Sequence, residues 1–149
     1  MSHTTPPQIN GRIRVLRDLI APGSEIVRLP LRGDMKAKGC FPNVKARIDK
    51  EGGELVIGWC VWQASKFIEA EYHAVWKKDG ELIDLTTKPS GETEIVYFAD
   101  PAATYIPVEV QPGIFKTRRN RILPNGESRL FMIANGKLVP LKVAKDIDL

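Results

Sequence analysis

Two residues of the segment EYHAVWKKDGELIDLT, at positions 71–86, could together orient and transfer a proton. His73 precedes the polar sequence KKDG and Asp84 follows it, each in a run with the alternating pattern of a strand. A four-residue loop would place His73 directly opposite Asp84. A two-residue Asp-Gly turn would instead place it opposite Thr86, with Asp84 one diagonal step away on the same face. In either register the carboxylate can accept a hydrogen bond from the imidazole and orient it, as in a catalytic triad.

Cys40 is the candidate nucleophile for such a site. It stands at or just before the start of a predicted helix, in which Pro42 suits the first turn and Gly52 and Gly53 end the element. Unpaired backbone N–H groups and the helix dipole at an N-terminus favour a thiolate, the form of cysteine that attacks carbonyl carbons. Cys60 alternates in phase with apolar neighbours, and we expect it to lie in the core.

The elements that must position these residues follow from a change of period along the chain. Residues 12–20 have near-helical apolar spacing, although a strand would also fit, and the Cys40 helix comes next. Segments 54–62, 67–76, 81–86 and 94–99 are rich in β-branched and aromatic residues and predict strands. A hairpin is predicted around Asn135 and Gly136. We therefore predict an α+β fold: an N-terminal helical part with the nucleophile at a helix start, followed by an antiparallel β-sheet.

Length and composition predict one domain. A chain of 149 residues that is 43% hydrophobic suffices for a single core. We expect a flexible leader at 1–12 and a single α+β domain at 13–149, with a basic segment near 116–129. No run of about 18 apolar residues and no signal-peptide pattern occurs, so a cytoplasmic location without membrane insertion is expected. The two cysteines, Cys40 and Cys60, are expected to be reduced thiols outside any zinc-finger spacing.

The ordered motifs GCFPNV, HAVW and IDLT resemble the transglutaminase-like branch of the papain-type cysteine enzymes. That branch places a cysteine at a helix start, a histidine in a strand reading like H-A-W, and an aspartate in a following strand reading like D-x-T. The sequence departs from it in having MKAKG where a tryptophan usually precedes the helix, and one inserted valine in HAVW. The resemblance implies Cys40 as nucleophile, His73 as general base and acid, and Asp84 as the orienting residue.

This resemblance implies thiol-dependent acyl transfer, or hydrolysis of an amide or ester in a peptide, protein or small molecule, with no cofactor. The backbone N–H of Cys40 and the Asn43 side chain could bind the oxyanion. Trp59 and Trp76 could wall a substrate cleft, although such tryptophans also commonly fill cores.

Other interpretations of the same residues stay open. Glu69 and Glu71 share the His73 face if that strand is regular, and could bind a cationic or amine group or simply be solvated. Cys40, His73 and Asp84 could ligate zinc, although they contain no paired ligand motif, and our prediction is that no metal is bound. The fold could also be catalytically inactive and bind a peptide or a partner protein.

The basic segment around 116–129 raises the question of nucleic-acid binding. Its basic residues outnumber its single acidic residue, Glu127; they are Lys116, Arg118, Arg119, Arg121 and Arg129. Such a cluster can hold phosphates, but no aromatic residues alternate with these charges, and the net charge of the chain is only +4. We therefore expect no nucleic-acid partner, with a nucleic-acid-binding module as the alternative.

Overall fold

The computed structural model describes residues 3–35, 39–88, 90–103, 109–112, 114–115, 117–142 and 146–148, and within them the chain has the predicted α+β composition. Its helices are α1 (Gly11–Ile20) and α2 (Cys40–Glu51). Its strands are β1 (Ile26–Met35), β2 (Glu54–Gln63), β3 (Phe67–Lys78), β4 (Glu81–Thr86), β5 (Glu94–Ala99), β6 (Glu109–Gln111), β7 (Ile114–Phe115), β8 (Thr117–Arg118), β9 (Arg121–Pro124), β10 (Phe131–Ala134), β11 (Lys137–Pro140) and β12 (Ile147–Asp148).

Five of these strands close into a barrel. In the order β3, β2, β5, β1, β4 each strand is hydrogen-bonded to the next, and a further pairing of β4 with β3 completes the ring. Strands β9, β10 and β11 extend the sheet beyond β3. The pair β1 and β4 is parallel, whereas the other barrel pairs are antiparallel. The prediction of an antiparallel sheet is therefore corrected: the sheet is mixed and closed.

The parallel pair arises from β1, a strand that the sequence pattern does not predict. Residues 26–30 of β1 pair with β5, and Leu31 and Met35 then pair with β4, so the strand changes partners after Pro30. Proline has no N–H to donate to a ladder, which makes it compatible with such a change. Pro30 and Gly33 also interrupt the apolar alternation, and this is why the pattern reads as irregular.

The hairpin between β3 and β4 has the shorter of the two predicted turns. Lys78 pairs with Glu81, which leaves Asp79 and Gly80 as the two turn residues. Both have positive φ, 52° and 80°, as a type I′ turn requires. The ladder consists of three pairs and ends three residues before His73 is reached.

Two apolar clusters occupy the two sides of the barrel wall. The larger includes Ile13 and Leu16 of α1 and Phe41 and Val44 of α2, packed on strand residues such as Trp59. The smaller fills the inside of the barrel, because its residues alternate along the strands with those of the larger cluster. Its members are Leu29, Cys60, Trp62, Val75, Ile95 and Tyr97. Cys60 is fully buried there, which confirms its predicted place in the core.

The segment predicted as a leader contacts the sheet. Thr4 pairs with Gln63 of β2, and the hydroxyl of Thr5 donates to the carbonyl of Glu94 at 2.9 Å. The Asn10 side chain accepts a hydrogen bond from the N–H of Ile13, an N-cap that fixes the start of α1 at residue 11. No helix in the described part of the chain is long and apolar enough to span a membrane.

Candidate active site

His73 and Asp84 are in direct contact. Nε2 of His73 lies 3.0 Å from Oδ1 of Asp84, and the two residues are 2% and 0% exposed. The same carboxylate oxygen accepts the backbone N–H of Thr86 at 3.1 Å, so the orientation of the carboxylate is fixed by its own strand. The predicted contact between the two side chains is therefore present, although the β3–β4 ladder itself ends at Trp76.

The β2 strand makes room for this pair. Gly58 is the β2 partner of His73, and a Cβ at residue 58 would lie 2.6 Å from the Tyr97 ring and closer still to the Phe98 carbonyl. The missing side chain lets Tyr97 of β5 cross the strand, where its hydroxyl donates to the carbonyls of Val56 at 3.1 Å and His73 at 3.3 Å. The backbone that carries the imidazole is thus tied to β5 across the intervening strand β2.

Cys40 is the first residue of α2 and is half-buried. Gly39 precedes it in a left-handed conformation, with φ of 93°, and provides no side-chain cap for the helix N-terminus. Pro42 in the first turn has no backbone N–H, and the N–H of Asn43 bonds to the carbonyl of Gly39, so the N–H of Cys40 is the group of interest beside the thiol. Charge on Cys40 and a side-chain interaction with it both raise the pKa of His73, so the thiol lies near the imidazole. The structure thus brings Cys40, His73 and Asp84 together.

The electrostatics of the cluster favour the protonated form of His73 and the ionised form of Asp84. Burial alone would lower the pKa of His73, but negative charge on Cys40 and the Asp84 carboxylate outweigh it and raise the pKa to about 10. Burial would likewise raise the pKa of Asp84, but His73 and Lys88 lower it to about 2. Asp84 therefore stays ionised across the physiological range, and His73 holds its proton while the thiolate is present.

Lys88 is a member of the cluster that the sequence does not reveal. Its Nζ lies 2.9 Å from Oδ2 of Asp84 and 3.3 Å from Nε2 of His73, and the residue is only 7% exposed. Burial lowers the pKa of Lys88, but the Asp84 carboxylate more than offsets this and the pKa is raised. Lys88 stands in the polar sequence TTKPSG beyond β4, where a lysine is normally solvent-exposed, so no local signal indicates its burial.

The two glutamates of β3 have different surroundings. Glu71 places Oε1 3.5 Å from Nδ1 of His73 and its side chain is 39% exposed, so it borders the cluster. Glu69 instead contacts His3 at 3.2 Å and Asn120 at 3.4 Å, and burial raises its pKa. Only Glu71 of the pair is near the reacting groups.

The tryptophans predicted to wall a cleft are buried. Trp59 is 0% exposed and its Nε1 donates to Asp100 at 2.9 Å, while the guanidinium of Arg121 lies 4.7 Å from its ring centroid. Trp76 is 3% exposed and donates to the carbonyl of Gly52 at 2.9 Å. Both belong to the cluster under the helices, because their positions alternate with those that point into the barrel. Neither indole therefore has surface with which to line a cleft.

Asn43 links α2 to the strand that carries Asp84. Its Nδ2 donates to the hydroxyl of Thr86 at 3.1 Å, one helical turn after Cys40. Because Thr86 also donates its backbone N–H to Asp84, Asn43 fixes the helix start relative to the carboxylate. The contact places Asn43 near the site, and its role in binding an oxyanion stays a prediction.

The basic segment faces protein groups where it is described. Arg118 donates to Oδ2 of Asp146 at 2.7 Å, and Arg121 forms a two-point ion pair with the same carboxylate. The guanidinium of Arg129 lies 5.1 Å from the ring centroid of Phe131. Lys116 lies outside the described residues.

Among the described residues, no group of three or more His, Cys, Asp and Glu side chains is arranged to hold a metal ion. Comparisons of the chain with protein-family models, with curated proteins and with solved structures find no significant match. The chemistry of the site must therefore be argued from the geometry of this chain.

Proposed function

We propose that this protein is a thiol-dependent acyltransferase or hydrolase of the transglutaminase-like type, with Cys40 as nucleophile, His73 as general acid and base, and Asp84 as the orienting residue. The observation that carries the proposal is that the buried His73 imidazole contacts a carboxylate through Nε2 at 3.0 Å, while the thiol at the start of α2 is near enough to raise the pKa of His73. This is the relationship between nucleophile, base and orienting group that covalent acyl catalysis needs.

In the proposed reaction the Cys40 thiolate attacks the carbonyl carbon of an amide or ester. The backbone N–H of Cys40, at the uncapped start of α2, donates to the oxyanion. As the bond to the leaving group breaks, the His73 imidazolium gives that group its proton, and a thioester acyl-enzyme remains. Water or an amine then gives a proton to the neutral imidazole and attacks the thioester, and the thiolate departs.

Asp84 acts throughout by holding Nε2. Since Nε2 donates to Asp84, the proton exchanged with thiol, leaving group and acceptor is the one on Nδ1. Glu71 lies 3.5 Å from Nδ1 on the exposed side of the site. A positively charged acceptor amine could contact this carboxylate next to the atom that must deprotonate it.

The test is whether an acyl group becomes attached to Cys40. The purified protein is mixed with p-nitrophenyl acetate, and release of p-nitrophenol and the mass of the intact chain are followed together. We expect a rapid release of p-nitrophenol and an acetyl adduct that peptide mapping places on Cys40. Cys60→Ala is the matched control, because it removes the other thiol and should keep the adduct.

Cys40→Ala should abolish both the rapid release of p-nitrophenol and the acetyl adduct. His73→Gln should sharply slow the release of p-nitrophenol. An adduct that persists in Cys40→Ala, or a wild-type chain that forms none, would contradict the proposal. In the second case the alternative gains support: the same fold binding a peptide, partner protein or nucleic acid without turnover. The burial of His73, at 2% exposure, is the observation that favours this alternative, because a reacting imidazole must meet its substrate.

A further inference from the structure

We propose that Lys88 is a positioning residue, which keeps Asp84 paired with a positive charge during the part of the reaction in which His73 has given up its proton. This inference rests on the proposed function, because it concerns the protonation cycle of His73. It adds a fourth side chain to the site, and that side chain acts through Asp84.

The contacts place Lys88 behind the carboxylate. Nζ of Lys88 is 2.9 Å from Oδ2 of Asp84, while His73 uses the other oxygen, Oδ1, at 3.0 Å. The carboxylate therefore has one cationic partner on each oxygen. Asp84 is 0% exposed and Lys88 is 7% exposed, so water contributes little to the solvation of either charge.

The reaction requires His73 to change charge, and this creates a difficulty for a buried carboxylate. When the imidazolium protonates the leaving group, Asp84 loses the positive charge on Oδ1. A buried charge without a partner is strongly unfavourable. With His73 as its only partner, Asp84 would resist this loss by holding His73 in the protonated form, and the acyl-enzyme would then lack a general base. Lys88 keeps its proton, so Asp84 still has a positively charged partner when His73 is neutral.

A second carboxylate also favours the protonated form of Lys88. Glu71 of β3 raises the pKa of Lys88 together with Asp84. On the other side of His73, Cys40 of α2 is the group whose negative charge contributes most to holding the imidazolium. Acylation of Cys40 removes this charge. The negative charge of Asp84 and the positive charge of Lys88 then have opposite effects on His73, and together they determine whether it releases its proton.

The first test measures the titration of His73 without any substrate. In a Cys40→Ala background, which imitates the loss of the thiolate, the imidazole signals are followed by NMR against pH, and a His3→Gln variant assigns the remaining signal to His73. Lys88→Met should move the His73 titration upward by about one pH unit or more, because a like charge 3.3 Å from Nε2 is removed. Lys88→Arg, which keeps the charge, should move it much less.

The second test measures the two chemical steps separately. In the Cys40-containing chain with p-nitrophenyl acetate, Lys88→Met should still form the acyl-enzyme, but release of the acyl group at neutral pH should slow about tenfold for each unit by which the His73 titration rises. A purely structural role of Lys88 would slow both steps together. If Lys88→Met does not fold, Lys88→Gln replaces it, since its amide can still donate to Asp84 without a charge.

The outcomes separate this inference from the proposed function. An upward shift of the His73 titration in the neutral variant, and not in Lys88→Arg, supports the charge role even if no acyl-enzyme forms. Superimposable His73 titrations in stable Cys40→Ala proteins with and without Lys88→Met would overturn it, whether or not Cys40 is acylated in the unmodified chain. Equal slowing of acylation and acyl release would also overturn it.

Discussion

Nε2 of His73 lies 3.0 Å from Oδ1 of Asp84, although the two residues are not directly paired across their hairpin. The Asp79-Gly80 turn sets a register whose last pair is Trp76 with Ile83, so the contact between His73 and Asp84 lies just beyond the end of the ladder. Thr86 in turn fixes both Asp84 and Asn43. The hairpin, the helix start and the carboxylate therefore form one connected unit.

Cys40 should be alkylated before Cys60. Burial raises the pKa of Cys60 well above its ordinary value and leaves it 0% exposed, whereas Cys40 is half-buried beside an imidazolium. Mass spectrometry after a brief, substoichiometric iodoacetamide pulse at about pH 6 should find the label on Cys40, because a free thiol is scarcely ionised there. His73→Gln is the control and should slow the labelling. Preferential labelling of Cys60 in the folded protein would exclude Cys40 as the activated thiol.

Asp84 and Lys88 should show strong coupling in a double-mutant cycle. Asp84→Asn leaves the buried Lys88 charge without its carboxylate, and we expect it to lower the free energy of unfolding by about 3–5 kcal/mol. Lys88→Met alone should lower the free energy of unfolding by less, because Asp84 keeps its contact with His73. The double variant should recover part of the loss suffered by Asp84→Asn. Urea denaturation of the four proteins gives these values, and additive effects of the two substitutions would show that the ion pair contributes nothing to stability.

Stability should depend on pH through His73 and Asp84. The pKa of His73 is raised from 6.5 to about 10, so its contribution is complete below 6.5 and is lost as the pH rises through about 10. The pKa of Asp84 is lowered from 3.8 to about 2, so its contribution is present above 3.8 and is lost as the pH falls toward 2. We expect chemical denaturation to give the highest free energy of unfolding between these limits. His73→Gln should flatten the alkaline limb, and an unchanged alkaline limb would contradict this assignment.

Gly58→Ala should damage both the fold and the site. The new methyl group would meet the Tyr97 ring at 2.6 Å and the Phe98 backbone, and such overpacking typically costs about 1–3 kcal/mol. Displacement of Tyr97 would also release its hydrogen bond to the His73 carbonyl. Gly11→Ala is the matched control, because nothing lies within 4 Å of its added carbon. Thermal unfolding of the two variants checks the contrast, and equal melting temperatures would show that the barrel can accommodate the methyl group.

Nucleic acid should not bind with appreciable affinity at physiological salt. Arg118 and Arg121 direct their guanidinium groups to Asp146, whose carboxylate offsets one of the two positive charges and leaves less charge for phosphates. Fluorescence anisotropy with labelled single-stranded and double-stranded DNA and RNA measures this directly. Salt-dependent binding that is lost in an Arg118→Gln, Arg121→Gln double variant would reverse the expectation.

Local patterns predicted the parts of the fold that depend on local chemistry. The strands β2 to β5 and the helix that begins at Cys40 appear close to their predicted bounds, because alternation, β-branched residues and glycine stops act over a few residues. The Asn135-Gly136 hairpin formed for the same reason. The strand β1 and its parallel pairing with β4 did not follow, since a strand containing Pro30 is held by partners distant in sequence.

The candidate site likewise contains residues that local sequence patterns indicate and one that they do not. His73 and Asp84 could be paired from the hairpin alone, and Cys40 could be placed at a helix start. The burial of Lys88 depends on how the segment after β4 packs against the barrel, and no short pattern records it. Trp59 and Trp76 were candidates for a cleft because aromatic side chains suit both cores and binding sites, and only the barrel decides which side of a strand is covered.

The parallel contact between β1 and β4 also bears on when the site can first exist during synthesis. Leu31 pairs with Asp84, so the ring of strands shuts only after the chain has been made well past residue 84. Pairings between distant segments carry a larger loop-closure cost and form slowly. A chain in which β4 and β5 have not yet been made therefore lacks the closed barrel that carries the imidazole and the carboxylate. Assembly of the site is in this way tied to closure of the barrel.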